Sequence, residues 1–80
     1  MRLSDAKGGD AVVIDHVEIG VDGAAARLEH VGFLPGTLVK VERRAPLGDP
    51  TVYELRGFRL ALRAEAAALV EVTAAPHEAP

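Results

Sequence analysis

Cysteine is absent from all 80 residues. That excludes a disulfide framework, a thiolate zinc site and a cysteine nucleophile, and it fits a reducing compartment. Aromatic side chains are few: Phe33, Tyr53 and Phe58 are the whole set, too few to stack many bases. Positive charge is in deficit, with nine basic against twelve acidic side chains and a net charge of −3. A nucleic-acid-coating protein is therefore not expected, because such affinity comes mostly from neutralising phosphates. No apolar run approaches the roughly 20 residues of a membrane span. The opening MRLSDAKGGD lacks the apolar stretch of a signal peptide. Ser4 is the sole serine, and no nucleophile has an evident base nearby in the sequence. These absences together predict a soluble, cytoplasmic, non-enzymatic domain with no nucleic-acid partner and no direct membrane insertion.

A chain of this length is one domain, and it buries only about 60 to 65 per cent of the surface its unfolded form exposes. Its stability rests on an apolar core and on short elements joined by strong turns. Turn signals are what the sequence has in quantity. The stretch FLPGTLVKVERRAPLGDP, residues 33 to 50, encloses one alternating run between two proline-containing turns. Pro35 and Gly36 suit the second and third positions of a type II turn. Pro46 and Pro50 restrict the second loop at both ends, so that Leu47 is presented in a fixed place. Between them, Leu38 to Arg44 alternates, with Val39 and Val41 on one face and Lys40, Glu42 and Arg44 on the other. Arg43 shares parity with the valines and is expected at the strand's end, its stem over the core and its guanidinium in water.

The rest of the chain reads in the same way. Leu3, Ser4 and Asp5 suggest an apolar anchor and a capped turn closed by Gly8 and Gly9. Ala11 to Ile19 is a β-branched strand that slips phase near Asp15 and His16. Asp22 is placed to cap a helix over AAARLEHV, whose Ala24, Leu28 and Val31 face the core and whose stop is Gly32. Thr51 to Arg56 and Phe58 to Arg63 read as consecutive strands about Gly57, the second with Phe58, Leu60 and Leu62 on one face opposite Arg59, Ala61 and Arg63. Ala64 to Ala68 suits one helical or 3₁₀ turn before a last strand over Leu69 to Thr73. The expected fold is mainly β: a small barrel of about five strands with one short α-helix, spanning residues 1–73, and a mobile tail over 74–80.

Four blocks in order carry a further identification: LSDAKGGD; RLEHVGFLPGTLVKV; APLGDPTVYELRGFRLALR; and EAAALVEV. This series resembles the FeoA family of small cytoplasmic proteins that accompany the bacterial ferrous iron transporter, and the likeness runs from residue 3 to residue 72. Its most specific parts are Leu28, Gly32, Leu34, Pro35 and Gly36; the loop Pro46 to Pro50; and Leu60, Ala61, Leu62 and Arg63 before Glu65 and Ala66. The resemblance implies an SH3-like β-barrel. It also implies a part in ferrous iron uptake through contact with the GTP-hydrolysing (FeoB-like) transporter. The same module closes metal-dependent repressors, but this chain carries no helix-turn-helix segment, so the accessory form is the better match.

Two kinds of site are open to the residues. The first is a contact surface for a macromolecule, formed by Phe33, Leu34 and Leu47 and bordered by the basic residues Arg43, Arg44 and Arg59. Its expected partner, given the resemblance, is the cytoplasmic GTPase domain of the transporter, bound by a monomer or weak homo-oligomer. Charge there sets encounter and orientation more than affinity. For Arg63 the expectation is structural, a guanidinium bonding turn carbonyls near the short helix. The second is a metal site. His16, Glu18 and His30 are donors of the type that suits zinc or ferrous iron, but nothing in their spacing brings them together. No cofactor is expected to be required, and any divalent iron or zinc is expected to bind weakly. The rival reading is a metal-responsive domain that changes partner or oligomeric state when ferrous iron binds. A module for proline-rich ligands lacks the aromatics that line such grooves.

Overall fold

A computed structural model describes residues 1–19 and 23–75. After a 3₁₀ turn at Leu3–Asp5 come β1 (Ala11–Val17), α1 (Ala24–His30), β2 (Leu38–Arg44), β3 (Thr51–Leu55), β4 (Phe58–Leu62), the four-residue α2 (Ala64–Ala67) and β5 (Val70–Ala74). The strands form one antiparallel sheet in the order β4-β3-β2-β1-β5. The architecture is thus mainly β with five strands, as the sequence predicts. Asp22, the expected cap of α1, and residues 76–80 of the expected tail lie outside the described residues; β5 itself runs one residue past the expected boundary.

The described helices, of seven and four residues, are too short to cover a five-stranded sheet, so the sheet buries its inner face largely by curling around it. Val12 and Ile14 of β1, Val39 and Val41 of β2, Tyr53 and Leu55 of β3, and Val70 and Val72 of β5 are all buried, with Leu3, Ala6, Leu28, Phe33 and Ala67 filling the ends. Burial of each large aliphatic or aromatic side chain contributes about 1.5–3 kcal/mol. The alternation that predicts β2 is observed over the expected residues, and Val39 and Val41 are its inward members.

Two bulges shape the curl. Pairing between β1 and β5 shifts register between Ile14 and His16, where the sequence loses its alternation. Pairing between β2 and β3 shifts between Val41 and Arg43. The second shift resolves the awkward parity of Arg43, because an extra residue in one strand turns the following side chains over and bends the strand. Arg43 is accordingly exposed beside buried Val41.

Expected and observed ends differ at several elements. β4 stops at Leu62 instead of Arg63, α2 at Ala67 instead of Ala68, and β5 starts at Val70 instead of Leu69. Phe58, expected on the face of Leu60 and Leu62, is exposed beside the turn. β1 stops at Val17 instead of Ile19. Arg56 leaves β3 for the two-residue turn to β4, where it has φ 52 and Gly57 has φ 86. That pair of left-handed residues matches the twist of the flanking strands. Val31 is 40% exposed and takes no part in the core stripe.

β4 and β5 do not pair with each other, so the curled sheet keeps two edges instead of closing by hydrogen bonds. The β5 edge is covered by the start of the chain. The Val72 N–H donates to the Met1 carbonyl at 2.7 Å, and Arg2 bridges to Glu71. The N-terminal ammonium bonded to Glu71 holds that carboxyl below its ordinary range.

The buried phenol gives the fold a measurable pH limit. Burial pushes the Tyr53 hydroxyl above its ordinary 10.0, against smaller opposing effects from Thr51 and Arg44. The folded state therefore favours the protonated phenol. That stabilisation is complete below the unfolded value and is lost as pH rises through the folded one. Melting curves at about pH 8 and about pH 11 should show a smaller alkaline loss for Tyr53→Phe than for the parent chain, read against the tyrosinate absorbance. An equal loss in the two proteins would assign the alkaline limit to other groups.

Candidate partner-binding surface

The loop between β2 and β3 is built to hold one leucine in solvent. The Ala45 N–H donates to the Pro50 carbonyl at 2.8 Å and the Gly48 N–H to the Ala45 carbonyl at 2.7 Å, closing the loop on itself. Asp49 then ties it to the body, its Oδ1 accepting from the Ala64 N–H at the start of α2 at 2.9 Å. Leu47 stands at the tip, 97% exposed. A large apolar side chain on a braced loop loses little conformational entropy on binding, which suits it to be a contact residue. Below it, Arg43, Arg44, Ala45, Pro46, Pro50 and Val52 line an open groove.

Arg44 is largely committed within the chain. Its Nη2 donates to the Ala6 and Ser4 carbonyls at 3.1 and 3.4 Å and its Nε to Thr51 Oγ1 at 3.2 Å, pinning the N-terminal turn to the sheet. This is the role expected of Arg63. The Arg63 side chain is exposed and makes no such bond among the described residues, while its backbone carbonyl accepts from Ala66 and Ala67. A bond spanning 38 residues of sequence leaves no local signal, and neither does the reach of Asp49 to Ala64.

The three-residue apolar patch is corrected by the structure. Phe33 is fully buried. The Gly32 N–H donates to the Glu29 carbonyl and the Phe33 N–H to the Leu28 carbonyl, both at 3.0 Å, with Gly32 at φ 108. This is the Schellman arrangement, which needs a left-handed residue after the helix and folds the next side chain back against the last turn. Leu28, Gly32 and Phe33 are its sequence signature. Leu34 is 39% exposed, in the turn whose Thr37 N–H donates to the Leu34 carbonyl and whose Gly36 has φ 87, as the type II reading requires. It precedes β2, whereas Leu47 follows it, so a strand of about 20 Å separates them. Leu38, 46% exposed, lies on the Leu34 side; its parity with Lys40 was the signal for that exposure.

Arg59 belongs to neither end. It lies on the outer face of the sheet, where Lys40 stands opposite Glu54 and Glu54 opposite Arg59. Its Nε donates to Glu42 at 2.8 Å, which raises the guanidinium pKa further. The basic residues of the central strands are thus interleaved with carboxylates. Of the six expected contact residues, Arg43 and Arg44 line the groove next to the loop that carries Leu47, Leu34 and Arg59 lie elsewhere, and Phe33 is buried.

The expected metal donors do not converge. His16 and Glu18 leave the end of β1, Glu18 is paired with Arg2 at 2.6 Å, and His30 closes α1. Among the described residues, no three histidine or carboxylate side chains are grouped to hold an ion. No described helix is long and apolar enough to cross a membrane.

Comparison with known proteins agrees with this architecture. A family model described as the FeoA domain matches residues 1–74. The Fe(2+) transport protein A/Fe(2+) transporter FeoB fusion protein of Porphyromonas gingivalis is 40% identical over 72 residues, covering 90% of this chain; the chain spans 8% of that protein's length. The FeoA protein of Chlorobium tepidum superposes with a TM-score of 0.86 at 31% identity, covering all of this chain and 81% of that one. The FeoA of Stenotrophomonas maltophilia, an SH3 domain protein solved in complex with zinc, superposes with a TM-score of 0.82 at 30% identity over 91% of this chain and 89% of its own. The SH3-like fold and the match along the whole sheet place this chain in the FeoA family.

Proposed function

We propose that this protein is a cytoplasmic, non-enzymatic accessory factor of ferrous iron uptake that binds and regulates the GTP-hydrolysing transporter through the Leu47 loop and the adjoining Arg43 groove. The observation that carries the reading is the 97% exposure of Leu47 on a loop held by three hydrogen bonds. The joining of the two modules in one chain in the Porphyromonas gingivalis relative supports it. Covalent linkage supplies a high effective concentration, and separate chains need a contact surface instead. The partner is the transporter's cytoplasmic GTPase domain, approached by a side of this protein that presents one apolar anchor and Arg43.

The metal-responsive alternative draws support from the zinc complex of the Stenotrophomonas maltophilia relative. His16, Glu18 and His30 stand apart here, so we favour weak binding of zinc or ferrous iron with no role in partner choice. Capture of the GTPase domain on the immobilised chain, with and without chelator, separates the two. The contact reading expects equal capture in both conditions and silent His16→Ala and His30→Ala substitutions. Loss of capture in chelator would establish the metal-responsive reading.

A further inference from the structure

The sheet has two edges, and only one is covered. β5 is sealed by Met1 and Arg2, whereas β4 carries no further strand among the described residues. The turn to β4 holds just Arg56 and Gly57, so Leu55 and Phe58 form the closing hydrogen-bonded pair of the hairpin. Alternation from there directs the N–H and C=O of Arg59 and Ala61 away from β3, toward open solvent. The side chains on this edge have a consistent chemistry. Arg59 and Ala61 are exposed on the outer face and Arg63 follows with the same parity, while Leu60 and Leu62 lie half-buried on the inner one. β4 contains no carboxylate, and Arg59 keeps 70% of its side chain accessible despite its bond to Glu42.

We propose that the β4 edge accepts an extended acidic segment of another protein as a sixth antiparallel strand. Backbone pairing to Arg59 and Ala61 would supply the binding, and carboxylates four residues apart on the incoming strand would meet Arg59 and Arg63, with apolar residues between them extending the Leu60 and Leu62 face. A second copy of this chain is the poorer occupant. The register that overlaps the whole of β4 with itself sets Arg59 opposite Ala61 of the other copy and leaves the two Arg59 side chains as diagonal neighbours on one face. It offers no carboxylate to Arg63, and like charges within such reach destabilise a strand pair. The edge is thus protected against itself in the way native sheets use charge. This surface is distinct from the Leu47 loop and does not rest on the identity proposed for that loop's partner.

The test is a nitrogen-15 NMR titration of the full chain with the capped peptide TEVTVET, against TKVTVKT as control. The proposal expects saturable shifts and slowed hydrogen exchange at Arg59 and Ala61 with the acidic peptide, and binding of the lysine peptide weaker by about threefold or more. Ala61→Pro removes an outward N–H without touching the β3 pairing and should abolish the shifts. Arg63→Glu, a surface change that leaves the fold alone, sets one negative charge against the remaining Arg59 and should abolish the preference between the peptides. Absence of saturable shifts at Arg59 and Ala61, equal binding of both peptides, or concentration-dependent protection of the same amides without peptide would each overturn the proposal, the last in favour of a second copy.

Discussion

Phe33→Asp should leave almost no folded protein at room temperature. Phe33 is fully enclosed, and its backbone N–H completes the cap of α1 on Leu28. Truncating a buried phenylalanine alone costs about 3–5 kcal/mol. A carboxylate at that place adds the loss of its hydration, with no cation offered to it inside the curl. Because a core of this size supplies only about 3–5 kcal/mol in total, the substitution removes the whole margin. Circular dichroism and the dispersion of amide resonances check it; a native spectrum with an unaltered melting temperature would mean that Phe33 is not part of the core.

The same chemical change at Leu47 should do the opposite. With the side chain already in water, Leu47→Asp removes no buried contact, and surface substitutions of this kind stay within about 0.5 kcal/mol. The melting temperature should hold while association with the GTPase domain weakens by about thirtyfold or more, the loss of a central apolar anchor being worth about 2 kcal/mol. A fall in melting temperature without loss of association would assign Leu47 to packing. The pair of variants separates inside from outside with one residue type.

Strand periodicity in this chain was legible because burial acts on local spacing. Val39 and Val41 against Lys40 and Glu42, or Leu60 and Leu62 against Arg59 and Ala61, declare a face within a few residues. The phase slip at Asp15 and His16 declared the β1 bulge for the same reason. Phe33 is not placed by the glycine stop alone: glycine predicts the end of a helix and leaves the next side chain free to face either way, and only the Schellman pairing turns it inward. The joint patch of Leu34 and Leu47 failed on distance, which parity does not carry. Two turns separated by one strand necessarily lie at its opposite ends. The braces at Arg44 and Asp49 had no local trace at all, since each reaches a group remote in sequence. Strand and turn spacing carried the fold class, the likeness to the FeoA family added its SH3-like type, and that likeness is silent on which exposed side chains touch a partner.

The braced loop after β2 is the surface proposed to meet the transporter. Methyl cross-saturation from the GTPase domain to the full chain, labelled at its leucine methyls, tests it directly. The Leu47 methyls should lose intensity first, with Leu3 and Leu28 unaffected. Strong attenuation elsewhere with Leu47 untouched would contradict the claim.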